Sequence, residues 1–212
     1  MTNRSLAEIK ASIHGLDESR INPDPFAQFA TWFDEAHEAD LPLPMSMSLA
    51  TVSKDGQPSI RTLFLKSFDA NGFVFYTNYG SRKASELEVN PQCALLFHWT
   101  ELERQVRIEG SVTRVSREES DTYFHTRPRE SQIGAWASRQ SEELDSRETL
   151  MARVADYTSN FEGGEVPLPD WWGGYRLEPR LIEFWQGIEF RLHDRLVFTR
   201  DGTGWELQRL NP

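Results

Sequence analysis

Between Arg61 and Lys83 the chain reads RTLFLKSFDANGFVFYTNYGSRK, a stretch that few folds accept. Thr62, Phe64 and Lys66 alternate with Leu63, Leu65 and Ser67, which is the period of a strand. Asn71-Gly72 follows, a pair that accepts positive φ in a tight hairpin. Phe73 to Asn78 resumes the strand, and Ser81 stands where a helix cap belongs, just before Arg82 and Lys83. The reading is strand, turn, strand, helix. Cations in a first helical turn oppose the helix dipole, while the free N–H groups there attract anions. Arg82 and Lys83 therefore require a local anion. With Arg61, Lys66 and the hydroxyls of Thr62, Thr77 and Ser81 nearby, a phosphate is the natural one. The competing reading is a solvated basic turn.

Such a cationic stretch carries more information in an acidic chain. The formal net charge is −10 over 212 residues, which argues against nucleic acid as the main partner. The 12% aromatic content, with seven Trp, is that of an ordered domain with a sizeable core. Cys93 is the only cysteine, so a disulfide within the chain and a cysteine-based zinc site are both excluded. The N-terminus lacks the apolar core of a signal peptide, and no run approaches the ~18 apolar residues of a membrane span. Cytoplasm is the expected compartment, with no membrane partner.

Residues 1–22 are polar and weakly patterned, and are expected to form a short helix near Leu6–Ile13 or a mobile segment. A single domain is expected over 23–212. Asp24-Pro25 opens a helix whose Phe26, Phe29, Trp32, Phe33 and Ala36 form one apolar stripe. Strands are expected over 45–53, 59–68, 73–78, 92–99 and 105–115, with a helix over 81–89. Short turns between these strands point to an antiparallel meander or barrel. Helices are expected from Ser116, which caps with Glu119, to His125, then over 131–138 and 142–161. The last strands lie over 174–185 and 196–206. The fold class is mainly β with appended helices.

Three further groups could carry chemistry. Tyr123, Arg127 and Ser131 are spaced four apart, but Pro128 disfavours helix at Arg127, so the stripe is expected to bend around a pocket. Phenol, guanidinium and hydroxyl all suit phosphate oxygens; a solvated helix face competes. Arg191, His193 and Arg195 would share one face of a strand and would need an anion or an electron-rich ring between them. A solvent-facing strand edge competes there. Gln140-Ser141 and Trp185 flank these groups. No nucleotide fingerprint, nucleophile elbow or zinc motif occurs, and no two histidines have ligand spacing, so no metal is expected.

The stretch Arg61 to Lys66, with Tyr76-Thr77-Asn78, Gly80 to Lys83, Arg127 to Trp136 and Arg191 to Arg195, resembles the pyridoxamine 5′-phosphate oxidase family. The resemblance runs from about Asp24 to the C-terminus. It implies an FMN-binding, antiparallel, Greek-key-like split β-barrel that works as a homodimer with flavin at the interface. It also implies oxidation of pyridoxamine 5′-phosphate or pyridoxine 5′-phosphate to pyridoxal 5′-phosphate, with oxygen giving hydrogen peroxide. Its FMN contacts fall on Arg61, Thr62, Leu63, Phe64, Leu65, Lys66, Tyr76, Thr77, Arg82, Lys83 and Gln105, completed by Gln140, Ser141, Trp185 and Arg195. The substrate phosphate would meet Lys66, Tyr123, Arg127 and Ser131. Arg191 and His193 would cover the pyridine ring and are the catalytic candidates. Arg61 and Lys66, five apart on one strand, are expected on opposite faces, serving two phosphates. Two departures stand out: residues 11–16 lack the family's Arg-x-x-Tyr, and Ile188 and Phe190 replace small or polar residues. A phenazine-type flavin oxidase and a non-enzymatic flavin or pyridoxal-phosphate module are the rival readings.

Overall fold

The computed structural model describes residues 4–212; the first three residues of the expected N-terminal segment lie outside it. In chain order the elements begin with α1 (Leu6–Ser12) and α2 (Pro25–Glu38). Then come β1 (Ser46–Val52), β2 (Pro58–Phe64), β3 (Ser67–Asp69), β4 (Gly72–Asn78) and α3 (Arg82–Val89). After β5 (Gln92–Trp99) and β6 (Arg104–Arg114) follow α4 (Arg117–Thr126), α5 (Arg129–Ala137) and α6 (Arg147–Asn160). The chain closes with β7 (Trp172–Gln186), β8 (Asp194–Asp201) and β9 (Gly204–Leu210).

Among the described residues, nine strands form one sheet in the order β2-β1-β5-β6-β7-β4-β3, with β8 and β9 added beside β7. All pairings are antiparallel. The two ends of the main path, β2 and β3, are consecutive in sequence. They are joined only by Leu65 and Lys66, so the sheet curls until its ends meet. The Leu65 N–H donates to Met45 O just before β1, and the next N–H, from Lys66, donates to Val74 O on β4, both at 2.9 Å.

This seam corrects two expectations. The strand expected over 59–68 breaks at Phe64, because its two halves pair with different neighbours. The hairpin loop is Ala70-Asn71, one residue earlier than expected, since Asp69 pairs with Gly72. Gly72 is needed for a separate reason. Its φ is +134°, and a Cβ there would lie 2.0 Å from the Leu177 carbonyl oxygen on β7.

The α2 stripe is buried as expected: Phe29 and Ala36 are fully buried, and Phe29 meets Phe73 and Phe97 edge-on at 5.0 Å. Asp24 caps the helix through the Phe26 N–H. This core fills the curled sheet, with Leu49, Leu95, Val106, Ile108 and Phe184 pointing in. A second, smaller cluster of Phe124, Ile133, Val166, Leu168 and Trp172 lies under α4 and α5. The expected 142–161 helix starts late, at Arg147, where Ser146 caps it. α1 is a docked helix, with Ile9 fully buried and a Ser5–Glu8 capping box that the sequence reading passed over.

Candidate active site

Against the organising stretch lies a cleft of about 740 Å³, between β2, β4 and the α4–α5 bend. Arg61, Thr62, Leu63, Phe64, Lys66, Tyr76, Thr77 and Lys83 line it from the stretch itself. Tyr123, Arg127, Ser131 and Gln140 line it from the helical side. The lining holds four cations and no carboxylate, in a chain with a net charge of −10.

One wall is aromatic. Tyr76 stacks on Tyr123, at 4.1 Å, and on Trp172, at 5.3 Å, and those two rings are 6.2 Å apart. Burial, followed by the Glu119 carboxylate and Tyr123, pushes the Tyr76 phenol up to about 12. The Lys66 ammonium lies 5.0 Å from the Phe64 ring centroid. α4 ends at Thr126 and α5 begins at Arg129, so the chain turns at Arg127-Pro128. The bend brings Tyr123, Arg127 and Ser131 to one cleft, as their spacing and Pro128 predicted. The Arg127 guanidinium lies 4.6 Å from the Trp172 ring centroid and donates through Nη2 to Ser131 O. Its Nη1 is buried without a partner, and burial lowers its pKa.

The phosphate-like end is built on a buried acid that the sequence reading missed. Glu86 on α3 accepts from Ser59 Oγ, Arg61 Nη2 and Thr51 Oγ1 through Oε2, and from Arg82 Nε through Oε1. Burial pushes its carboxyl up, but the bonds from Ser59, Thr51, Arg82 and Arg61 prevail and hold it at about 2. Arg82 thus finds the local anion it was expected to need within the protein, one helical turn away, rather than only in the phosphate that was the natural candidate. Lys83 has no such pair. Its Nζ donates to Thr77 Oγ1, Ser81 Oγ and Gln140 Oε1. Burial, then the Arg61 charge, lowers it to about 8. Ser81 occupies the N-cap position of α3, but its hydroxyl serves Lys83 rather than the helix. Ser141, at φ +74°, accepts from the Arg82 N–H beside the cleft.

Arg61 and Lys66 both line this one cleft, which corrects the opposite-face expectation. Strand parity applies only along a continuous strand, and the chain changes partners at the seam between them. From Arg61 to Lys66 the exception is Leu65, whose side chain is buried in the core, and Arg82 too lies outside the lining. Asn78, Ser138 and Trp172 also line the cleft. Asn78 stood in the Tyr76-Thr77-Asn78 motif, but nothing in the spacing marked Ser138 or Trp172.

Gln105, Trp185 and Arg195 form a second group. They sit in one cross-strand row, Gln105 opposite Trp185 and Trp185 opposite Arg195. The Arg195 Nε donates to Glu183 at 2.7 Å. The Trp185 and His193 ring centroids are 4.6 Å apart. None of these residues, nor Arg191, lines the cleft of the same chain.

Residues 191–193 are not a strand. Glu189–Arg191 is a 3-10 turn in which Phe190 and Arg191 take φ of +59° and +62°, and β8 begins only at Asp194. The loop is pinned by a bond from the Ile188 N–H to His193 Nδ1 at 3.1 Å. Phe190 at its tip is 87% exposed, and bulky side chains at positive φ mark a backbone held for a purpose.

A family model for pyridoxamine 5′-phosphate oxidase matches residues 33–160, and one for the pyridoxine 5′-phosphate oxidase C-terminal dimerisation region matches 172–212. A pyridoxine/pyridoxamine 5′-phosphate oxidase of Rubrobacter xylanophilus is 60% identical over 198 residues, covering 93% of this chain and 91% of its own. Among solved structures, PhzG from Burkholderia lata, in complex with tetrahydrophenazine-1-carboxylic acid, aligns with a TM-score of 0.88 at 33% identity. It covers 95% of this chain and 100% of its own. A pyridoxamine 5′-phosphate oxidase-related, FMN binding protein from Nostoc punctiforme shares the fold, with a TM-score of 0.71 at 16% identity over 93% of this chain and 98% of its own. With one family model spanning more than half of the chain and a relative of this identity aligned along nearly all of it, the chain belongs to the pyridoxamine 5′-phosphate oxidase family.

Proposed function

We propose that this protein oxidises pyridoxamine 5′-phosphate and pyridoxine 5′-phosphate to pyridoxal 5′-phosphate, with FMN as cofactor and oxygen as acceptor, and that it works as a homodimer. The observation that carries this reading is the cleft with four cations, no lining carboxylate and a buried, unpartnered Arg127 Nη1. A buried donor without a partner costs about 1–3 kcal/mol, which a bound anion would offset.

The residues fit FMN. Arg61, fixed by Glu86, together with Arg82 and Lys83, would hold its phosphate by charge-assisted bonds. The opposite side of the cleft, Lys66, Tyr123, Arg127 and Ser131, would take the substrate phosphate. Gln105, Trp185 and Arg195 would complete the flavin site from a second copy, because they lie away from the cleft of their own chain. They and the Arg191–His193 loop fall within the stretch matching the dimerisation region, apart from Gln105. When bound, FMN accepts a hydride from the carbon bearing the amine or alcohol, and oxygen then takes the electrons and leaves as hydrogen peroxide.

The protein's own work is orientation. Two phosphate grips separated by one cleft hold two rings face to face, which is a large part of the barrier in such reactions. Arg191 brings a guanidinium over the reacting ring. His193 contributes a ring N–H, because its Nδ1 is already an acceptor from the Ile188 N–H and its proton must sit on Nε2. From pyridoxamine 5′-phosphate the oxidation gives an imine, which water converts to aldehyde and ammonia.

The likeness to PhzG supports a second reading, a flavin oxidase of phenazine chemistry. Incubation of the purified protein with either vitamer phosphate and oxygen should give pyridoxal 5′-phosphate and hydrogen peroxide in equal amounts. Turnover of a tetrahydrophenazine carboxylate with none on the vitamer phosphates would support the phenazine reading. Bound flavin without turnover of either would favour a binding module.

A further inference from the structure

The segment before α2 is fastened to the loop that carries Arg191 and His193. Arg209 on β9 is the fastener. Its Nε and Nη2 donate to the two carboxylate oxygens of Glu18 at 2.6 and 2.7 Å. Nη2 also donates to Leu16 O at 2.7 Å, and Nη1 donates to Asp194 Oδ1. The other Asp194 oxygen accepts from the Leu16 N–H at 2.9 Å. One guanidinium thus ties two carboxylates and a backbone carbonyl from opposite ends of the chain. The contact is close: Gly15 has φ +83°, and a Cβ there would lie 2.5 Å from Asp194 Oδ2 and 3.5 Å from the Ile188 side chain.

Asp194 and Ile188 are the two feet of the loop. Between them Phe190 and Arg191 hold left-handed backbone, a conformation that costs about 1–2 kcal/mol per residue unless its surroundings impose it. Within the loop the anchor is Ile188 to His193. Outside it, residues 15–18 lie near one foot and bond the other. An isolated surface ion pair does little, but a bidentate pair sharing its cation with a second carboxylate and a carbonyl is a fixed geometry.

We propose that Glu18, Asp194 and Arg209 are positioning residues for the reaction: they clamp residues 15–18 against the feet of the 188–194 loop and so set where Arg191 and His193 present themselves to substrate. This rests on the function proposed above, in which that loop covers the reacting ring.

Glu18→Gln in the FMN-loaded protein is the test, because Glu18 touches the clamp and none of the residues assigned to flavin or substrate. Amide exchange should speed up in both 14–18 and 188–194. KM for pyridoxamine 5′-phosphate should rise about fivefold, the scale of one ion-pair contribution, with kcat changed less than twofold and flavin content unchanged. Glu18→Asp should restore part of the KM. In an Arg209→Gln background Glu18→Gln should add nothing, since the two act through one contact. Faster exchange confined to 14–18, with KM unchanged, would overturn the proposal, as would unchanged exchange in both segments. If the unaltered protein fails to turn over the vitamer phosphates, the proposed function falls. Exchange in 188–194 still decides whether the clamp acts on the loop.

Discussion

His193 Nδ1 accepts the backbone N–H of Ile188 at 3.1 Å, five residues back along the same loop. A backbone N–H can only donate, so the imidazole proton is on Nε2, and in the proposed function the ring would meet substrate as a donor. A donor of this kind contributes about 0.5–1.5 kcal/mol, far less than general acid–base work at about 10²–10⁴ in rate. His193→Ala should therefore lower kcat/KM by about tenfold in steady-state kinetics. A loss beyond about 10³ would mean that the ring also moves a proton.

Arg191→Leu should lower kcat by about 10²–10³, the cost of removing an oriented charge that acts mainly in the transition state. Flavin content should stay the same, because the phosphate grip proposed at Arg61, Arg82 and Lys83 is elsewhere. Turnover per bound FMN and melting temperature should be measured on one preparation. Unchanged turnover with a lower melting temperature would return this loop to a purely structural role.

With Lys83 in the proposed FMN phosphate grip, FMN affinity should depend on pH. Its pKa in the free protein is about 8, lowered by burial and by Arg61. A phosphate dianion favours the protonated amine, and the phosphate is already dianionic above pH ~6. Below pH 8 Lys83 is protonated before binding, so affinity is flat there. Above pH 8 binding must take up a proton, and Kd should rise up to about tenfold per pH unit until the bound-state pKa is passed. Lys83→Arg, which stays charged, should flatten the profile. Flavin fluorescence titrations from pH 7 to 9.5 measure both.

Glu86→Gln should destabilise the protein by on the order of 3 kcal/mol at pH 7, because it leaves Arg61 half-buried without its counter-ion. The native carboxyl sits at about 2 against an ordinary 4.5. A depressed acid contributes stability above 4.5 and loses it as pH falls through about 2. The difference between the two proteins in urea midpoint should therefore be full at pH 6 and shrink below pH 4.5. At pH 3 less than half of the difference should remain, and an undiminished difference there would assign the effect to packing instead.

Purified protein should carry about one FMN per chain and bind FMN more tightly than riboflavin, because charge-assisted phosphate bonds are among the strong ones. Equal affinities by fluorescence quenching would remove the phosphate assignment from Arg61, Arg82 and Lys83.

The sequence by itself determined what depends on neighbours along the chain. The Asp24-Pro25 start and apolar stripe of α2, the tight turn before β4, and the bend at Pro128 that gathers Tyr123, Arg127 and Ser131 all follow from spacing and backbone preference. The motifs of the stretch from Arg61 to Lys83 likewise pointed to the family. Tertiary structure decided what depends on strands meeting across the sheet. Arg61 and Lys66 share a cleft because the sheet closes on itself between them, which strand parity cannot register. Glu86 is a buried counter-ion only because α3 packs behind β1 and β2; in the sequence it is one acid among 33 Asp and Glu. Arg191 and His193 sit in a loop with left-handed backbone, not a strand; Ile188 bonds His193 within it and Asp194 at its end bonds Leu16. The Leu16 to Asp194 bond spans 178 residues, a separation at which no local pattern carries information.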